Sequence, residues 1–426
     1  MEHRWIGWAA LSSGLAALTL GCAQLQAQPP TAPDPTPYNN SDSAPRLSQI
    51  PTVDTELTQA QLDFGFALFE RLRQATPDEN VLVSPTSVAL ALAMAYNGAG
   101  GETQAAIAAT LQLHDLDIDQ LNAGNQALTE YLTQRDPEVA LAIANSLWVN
   151  QDLPVRSDYV ERMQTAYSAE VAALDFSQPT ATDRINTWVK AKTRDRIPTI
   201  VDELPADQLL VLVNAIYFKG AWSEAFDPAR TTDRPFTLAS GETVQHPLMA
   251  QQDDYLYLET DQFQSVSLPY GDASLSFEVI LPAPGTDLAT LAAQLTPENW
   301  QSWMVQMRSR PGEIQLPKLQ FEYEADLIPT LQALGMGIAF EDGADFSGLT
   351  ELDAFINQVR HKTFIEVNEA GTEAAASTAI GIMPTSIALP PDPPFEMVVD
   401  RPFLAAIRDR NTGTVLFVGA IVDPRP

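Results

Sequence analysis

Few residues in this chain are placed to do covalent chemistry. Its 426 residues include four histidines, His3, His114, His246 and His361, and one cysteine, Cys22. The histidines are scattered without an HExxH pair, and a single thiol builds neither a disulfide framework nor a multi-cysteine metal site. No metal and no cofactor is therefore expected. There is no GxSxG elbow, no Walker loop and no GxGxxG. Gly98-Ala99-Gly100-Gly101-Glu102-Thr103 lacks the lysine and preceding strand of a phosphate loop, and reads as a glycine-rich helix end and turn. A serine–histidine arrangement of Ser84 and His361 is open on sequence. However, His361 flanks the apolar run Thr363–Val367, where a buried, hydrogen-bonded histidine fits better than a general base. The pair Asp253-Asp254 reads as solvated loop. The sequence does not look like that of an enzyme.

A different chemistry is offered by residues 365–387, IEVNEAGTEAAASTAIGIMPTSI. A strand ending near Val367 leads through Glu369, Gly371 and Thr372 into a run of small residues, closed by Pro390, Pro391, Pro393 and Pro394. Alanine favours an exposed helix. Glycine and β-branched residues dilute that preference, and a strand template fits as well. On it Thr372, Ala374, Ala376, Thr378, Ile380 and Ile382 share a face that is small or apolar throughout, with Glu373 and Ser377 on the other. Such a segment could enter the middle of a sheet.

The elements that would position it follow from periodicity. Leu57–Leu72 carries Leu62, Phe66, Phe69 and Leu72 on one helical stripe, and Ser84–Asn97 is an Ala/Leu-rich helix with a capping serine, a first-turn proline and Gly98 at its end. Further helices are expected at 157–166, 183–194, 288–303 and 328–334. Strand-like runs lie at 139–149, 171–176, 209–218, 266–268, 275–281, 314–321, 363–367, 396–399, 403–408 and 414–422. Helices gather early and strands late without strict alternation, which is an α+β plan around a large central sheet, mixed or antiparallel. Apolar residues make up 45% of the chain, enough for a large core. With 24 Lys+Arg against 55 Asp+Glu, the net charge of −31 disfavours nucleic acid and heparin-like polyanions as partners.

Residues 1–22 read as an export signal: a weakly basic start, then Ile6–Leu20, too short for an ordinary span of about 20 residues. Thr19-Leu20-Gly21-Cys22 resembles a bacterial lipoprotein signal that lipidates Cys22, although Thr19 stands where an aliphatic residue is usual. Cleavage after Ala27 and a retained anchor helix are the alternatives. In each case the folded part is expected outside the cytoplasm: in the cell envelope, periplasm or medium, with the membrane met only through the N-terminus. Residues 23–51, with seven prolines, read as an extended tether. One large domain is expected over 52–426.

At this point the chain resembles the serpins, serine protease inhibitors that work by loop insertion. Asn80–Thr103, NVLVSPTSVALALAMAYNGAGGET, is similar to the family's strand-to-helix segment beneath the central sheet, and Asn214–Trp222, NAIYFKGAW, to its third central strand and the insertion entrance. His361–Ala376 resembles the fifth strand and hinge, and Asp400–Pro424 the C-terminal strand pair. Ala405 and Ala420 depart from the usual residues at packing positions. The resemblance implies the serpin fold, with a reactive loop at about 369–394. It also implies that a protease attacks Thr385-Ser386 and forms an acyl-enzyme on Thr385, after which the freed loop inserts and distorts the protease. The hinge would be Glu369, Gly371, Thr372, Glu373, Ala374, Ala375 and Ala376. No proline lies between Gly371 and Met383 to block entry, and Glu373 would point out of the sheet. Met383 and Pro384 would face the protease's pockets. With Thr385 they suit elastase-like or subtilisin-like serine proteases, or a cysteine protease, more than a trypsin-like one. Ser84, Ser87, Asn214 and His361 would form a polar latch under the central strands, with Trp222 at the upper entrance. The inhibitor is expected to be a monomer. Seventeen extended residues span roughly 55 Å, about the diameter of a domain this size, and about a dozen new ladder hydrogen bonds at ~1 kcal/mol each would favour insertion. The alternative is a relative that keeps the fold without the trap and serves as a binding protein.

Overall fold

The computed structural model describes residues 54–114, 116–133, 139–372 and 393–425, which belong to one compact unit, Ile50–Pro426. The early part is helical: α1 (Thr55–Ala75), a short β1 (Val81–Val83), α2 (Pro85–Gly98), α3 (Gly101–Thr110) and α4 (Ile118–Thr133). Strands and helices then mix as β2 (Val139–Asn150), α5 (Ser157–Tyr167), β3 (Glu170–Leu174), α6 (Pro179–Lys192) and β4 (Leu210–Ala221). The rest is strand-rich. It runs β5 (Thr232–Thr237), β6 (Thr243–Glu259), β7 (Phe263–Tyr270), β8 (Leu275–Pro282), α7 (Leu288–Ala292), α8 (Pro297–Gln306), β9 (Arg308–Pro317) and β10 (Leu319–Asp326). After α9 (Ile328–Leu331) come β11 (Ile356–Asn368), β12 (Gly371–Thr372), β13 (Phe395–Val398), β14 (Phe403–Asp409) and β15 (Val415–Ile421).

The expected α+β plan holds, and among the described residues the strands form two sheets. The larger runs β1-β15-β14-β8-β7-β6-β9-β13 with β5 beside β6, antiparallel apart from β13–β9. The smaller, central one runs β10-β11-β12-β4-β2-β3. Helix α2 is buried on nearly every face. Ser84 caps it and Pro85 opens it, where the missing N–H costs no helical bond. It lies between the sheets, its apolar side chains in one core cluster with α1, α5 and the inner faces of β2 and β4. A separate cluster on the outer face of the central sheet packs Trp148, Val211 and Val213 against Ile185, Trp188 and Val189 of α6.

Several boundaries differ from expectation, each for a local reason. The run 314–321 is two strands in different sheets: β9 stays beside β6 as far as Pro317 and the Lys318 N–H, and from Leu319 the chain pairs with β11 instead. The helix expected over 288–303 breaks where Thr296 caps a new start at Pro297. Asp253-Asp254 is exposed but lies inside β6, seventeen residues long, whose polar middle gave no apolar alternation to read. The strand before the hinge starts at Ile356, seven residues ahead of the apolar run Thr363–Val367.

Candidate functional site: a seam in the central sheet

Strands β4 and β11 run parallel and are paired from Leu210↔Ile356 to Tyr217↔Phe364. Parallel neighbours far apart in sequence share no hairpin, so this seam is joined by ladder bonds and side chains only. Beyond Phe364 the two strands diverge, and β12 lies between them. Gly371 pairs with Ala221 and Asn368, and Thr372 with Gly220 and Val367, antiparallel to both sides. Gly371 has φ +145°, and a Cβ there would fall 2.1 Å from the Gly220 carbonyl oxygen, so only glycine fits the turn into the sheet.

Across the middle of the seam runs a polar row. Asn145 of β2, Asn214 of β4 and His361 of β11 are direct register partners, all buried. Asn214 Nδ2 donates to Asn145 Oδ1 at 2.5 Å, to the Ser87 carbonyl at 2.9 Å and to Ser87 Oγ at 2.5 Å. The Ser84 N–H donates to His361 Nε2 at 3.2 Å, which leaves Nδ1 as the protonated nitrogen donating to Asn214 Oδ1 at 2.6 Å. Full burial pulls the His361 pKa down from 6.5 to about 3, so the imidazole is neutral at pH 7. Among the described residues its hydrogen-bond partners are the Ser84 N–H and Asn214 rather than an acid or a base, and it acts as a strut holding β11, β4 and α2 together. The structure thus brings Ser84, Ser87, Asn214 and His361 together. It adds Asn145, whose side chain interrupts the apolar run of β2, a signal the sequence reading passed over.

The upper end of the seam has its own bonds. Trp222 is buried and stacks on Tyr270 with ring centroids 4.6 Å apart, and its Nε1 donates to the Asn368 carbonyl at 2.9 Å. Its backbone N–H reaches the Ala370 carbonyl at 3.1 Å. The Tyr270 hydroxyl shares a hydrogen bond of 2.5 Å with Thr372 Oγ1, both groups fully buried. Glu369 accepts from Lys318 Nζ at 2.9 Å and Thr231 Oγ1 at 2.8 Å. Burial works against its charged form, yet these hydrogen bonds and the Lys318 ammonium outweigh it, and its pKa lies below the ordinary glutamate value. Tyr270, Lys318 and Thr231 come from remote strands and loops, with nothing local in sequence to mark them. Glu373, Ala374, Ala375, Ala376, Met383, Pro384, Thr385, Ser386 and Cys22 lie outside the described residues. Among the described residues no group of three His, Cys, Asp or Glu side chains is placed to hold a metal ion, and no helix is long and apolar enough to cross a membrane.

Among the described residues the domain thus has two sheets, with β12 seated between two strands that are otherwise direct parallel neighbours. The family model described as serpin, serine protease inhibitor, matches residues 59–424, and the chain belongs to the serpin family. It is 37% identical to human Serpin B8, covering 87% of this chain and 100% of that protein, and 35% identical to Iripin-2 of Ixodes ricinus, covering 86% and 94%. Leukocyte elastase inhibitor A of Mus musculus is 33% identical over 87% of this chain and all of its own. Among solved structures, human thyroxine-binding globulin complexed with thyroxine superposes with a TM-score of 0.80 at 30% identity, and the thermophilic serpin tengpin in its native state with 0.79 at 29%. These cover 87% of this chain and 100% and 95% of theirs, respectively. The family is one of protease inhibitors rather than of enzymes.

Proposed function

We propose that this protein inhibits serine proteases as a suicide substrate, with loop insertion into the β4–β11 seam as the trap. The observation that carries the reading is the agreement of two independent registers at β12. Six residues on from Thr372 is Thr378. Six back along β4 from its partner Gly220 is Asn214, and six back along β11 from its partner Val367 is His361. Asn214 and His361 are themselves partners. A strand continuing from β12 would therefore meet both walls in register and set Thr378 into the polar row. Thr372, Ala374, Ala376, Thr378, Ile380 and Ile382 would face the core with Asn214 and His361. Glu373 would lie on the outer face beside Lys219 and Glu366. Insertion replaces one parallel ladder by two antiparallel ones, which adds hydrogen bonds without breaking the sheet.

Cleavage at Thr385-Ser386, after Met383 and Pro384, would present a small β-branched residue to the attacking protease. Elastase-like and subtilisin-like enzymes accept such a residue, and the resemblance to a leukocyte elastase inhibitor points the same way. Export, with Cys22 lipidated or the leader removed, would set this activity outside the cytoplasm. The second reading is a binding protein on the same fold, supported by the similarity to a thyroxine-binding globulin. Incubation with elastase, subtilisin and trypsin separates the two. An inhibitor yields an SDS-resistant adduct, releases a C-terminal peptide beginning at Ser386, and melts far higher once its loop is cut. A chain that is cut without adduct or gain in melting temperature is not an inhibitor.

A further inference from the structure

In a chain of net charge −31, five of the 24 basic residues fall between positions 184 and 196: Arg184, Lys190, Lys192, Arg194 and Arg196. Two are held on the helix side, Arg184 by Glu170 at 3.5 Å and Lys190 by Asp195 at 3.9 Å, and Lys192 lies over the Trp188 ring. The other two reach the central sheet. The Arg194 guanidinium lies 5.9 Å from the centroid of Tyr217, and that of Arg196 lies 5.5 Å from the centroid of Phe364. Tyr217 and Phe364 are the last direct pair of the closed seam before β12 begins.

The turn that carries both arginines is unusual. Arg194 and Asp195 have φ of 52° and 64°, consecutive left-handed residues, neither of them glycine. Side chains disfavour that conformation, so it persists only where its surroundings impose it. Here Asp195 N–H bonds the Lys190 carbonyl at 2.9 Å, Ile197 N–H bonds Thr193 Oγ1 at 3.1 Å, and Thr193 Oγ1 bonds the Val189 carbonyl at 2.9 Å. Both guanidinium groups thus hang from one fixed turn.

We propose that Arg194 and Arg196 form a clamp across the outer face of the seam and control how fast its upper end opens. The proposal rests on the reading that the seam opens to admit a strand. By the register at β12, the residue that would part Tyr217 from Phe364 is Ala375. Neighbouring strands lie about 4.8 Å apart, so an intruding strand roughly doubles the gap between the rings. A turn held on three bonds cannot follow both, and at least one cation–ring attraction is lost as the seam parts. The clamp therefore favours the closed seam and slows the approach to the open one.

Hydrogen exchange on the full, uncut chain tests this without any protease. In R194Q/R196Q, amides of 214–218 and 362–366 should exchange roughly tenfold faster, the size expected from losing one to two cation–ring contacts. Amides near Leu210 and Ile356, at the far end of the seam, should be unchanged. R184Q/K190Q removes the same charge from the same region and should leave the upper seam as it was. Unchanged exchange in R194Q/R196Q, an equal rise along the whole seam, or the same rise in R184Q/K190Q overturns the clamp. Failure of insertion itself is read separately, from the melting temperature of the loop-cut protein.

Discussion

The middles of the two sheets bury different kinds of polar group. In the nine-stranded sheet the buried polar centre is an ion pair. Glu278 of β8, fully buried, accepts from Arg408 of β14 at 2.7 Å, and from Ser267 and Ser276 at 3.0 and 2.6 Å. Antiparallel ladders tie its strands: β14 is bonded to β8 on one side and to β15 on the other. In the central sheet the corresponding centre is neutral, two asparagines, two serines and an uncharged histidine across a parallel seam. Separating a buried ion pair strands a charge in a low-dielectric interior. A row of amides, hydroxyls and an imidazole holds no charge to strand, so parting it costs unpaired neutral hydrogen-bonding groups only. The proposed insertion would need the central sheet to open and the nine-stranded sheet to stay shut, and the two polar centres differ in that sense.

The largest expected effect tests whether the seam is used. Thr372 is buried in β12 and is the first side chain of the would-be strand to face the core. Thr372→Arg would place a guanidinium there. Adduct with a serine protease should fall to background on denaturing gels while cleavage continues, and the cut protein should gain no melting temperature. Stable adduct from this variant would mean that insertion does not start at β12.

Next come the two polar centres themselves. Arg408→Ala leaves Glu278 buried and unpaired, and should lower unfolding free energy by about 3–5 kcal/mol with no selective effect on the central sheet. His361→Ala leaves Asn214 Oδ1 and the Ser84 N–H without a partner, and should cost about 2–4 kcal/mol. Only the second should speed hydrogen exchange along β4 and β11 more than along β8 and β14. Equal patterns in the two variants would erase the distinction drawn between the sheets.

Acid should act on the same side of that distinction. His361 binds a proton near pH 6.5 when unfolded and only near pH 3 when folded. Between those values the unfolded chain holds the extra proton, so stability falls as pH drops, by about 1.4 kcal/mol per pH unit. Glu369 adds to this at lower pH. Its pKa is depressed, so the stabilisation from Lys318 and Thr231 is present above the ordinary glutamate range and lost as pH falls through the lowered value. Melting temperature measured from pH 7 to 4 should decline more gently in His361→Asn than in the parent. Parallel declines would show that His361 does not titrate in this way.

How much of this was legible depended on whether the signal was local. The capped helix from Ser84 and the apolar strands follow from periodicity and capping within a few residues; the small-residue face expected after Thr372 lies outside the described residues. Ser84, Ser87, Asn214 and His361 were marked by resemblance, and the structure joins them in one hydrogen-bonded polar cluster. What stayed hidden was set by register between distant strands. Asn145 is one polar residue in an apolar run until β2 pairs with β4. Arg194 and Arg196 are two charges after a helix until the turn carries them over Tyr217 and Phe364. The long β6 was missed because its polar centre, Gln251 to Asp254, alternates in neither period.

The smallest expected effect sharpens the comparison at the seam's upper mouth. Tyr270 belongs to the nine-stranded sheet, yet its hydroxyl meets Thr372 of the central one, while its ring supports Trp222. Tyr270→Phe keeps the ring and its stacking and removes one buried hydrogen bond. The Thr372 hydroxyl is then left unpaired in the core, a loss of about 1 kcal/mol, which corresponds to roughly a fivefold shift in the equilibrium between wedged and released β12. Exchange at the Gly371 and Thr372 amides should rise by about that factor, and exchange at the polar row six residues further along each strand should not. If the row loosens together with β12, then the mouth and the middle of the seam open as one unit. Entry would then be all-or-none rather than a stepwise unzipping from the end where the wedge already sits.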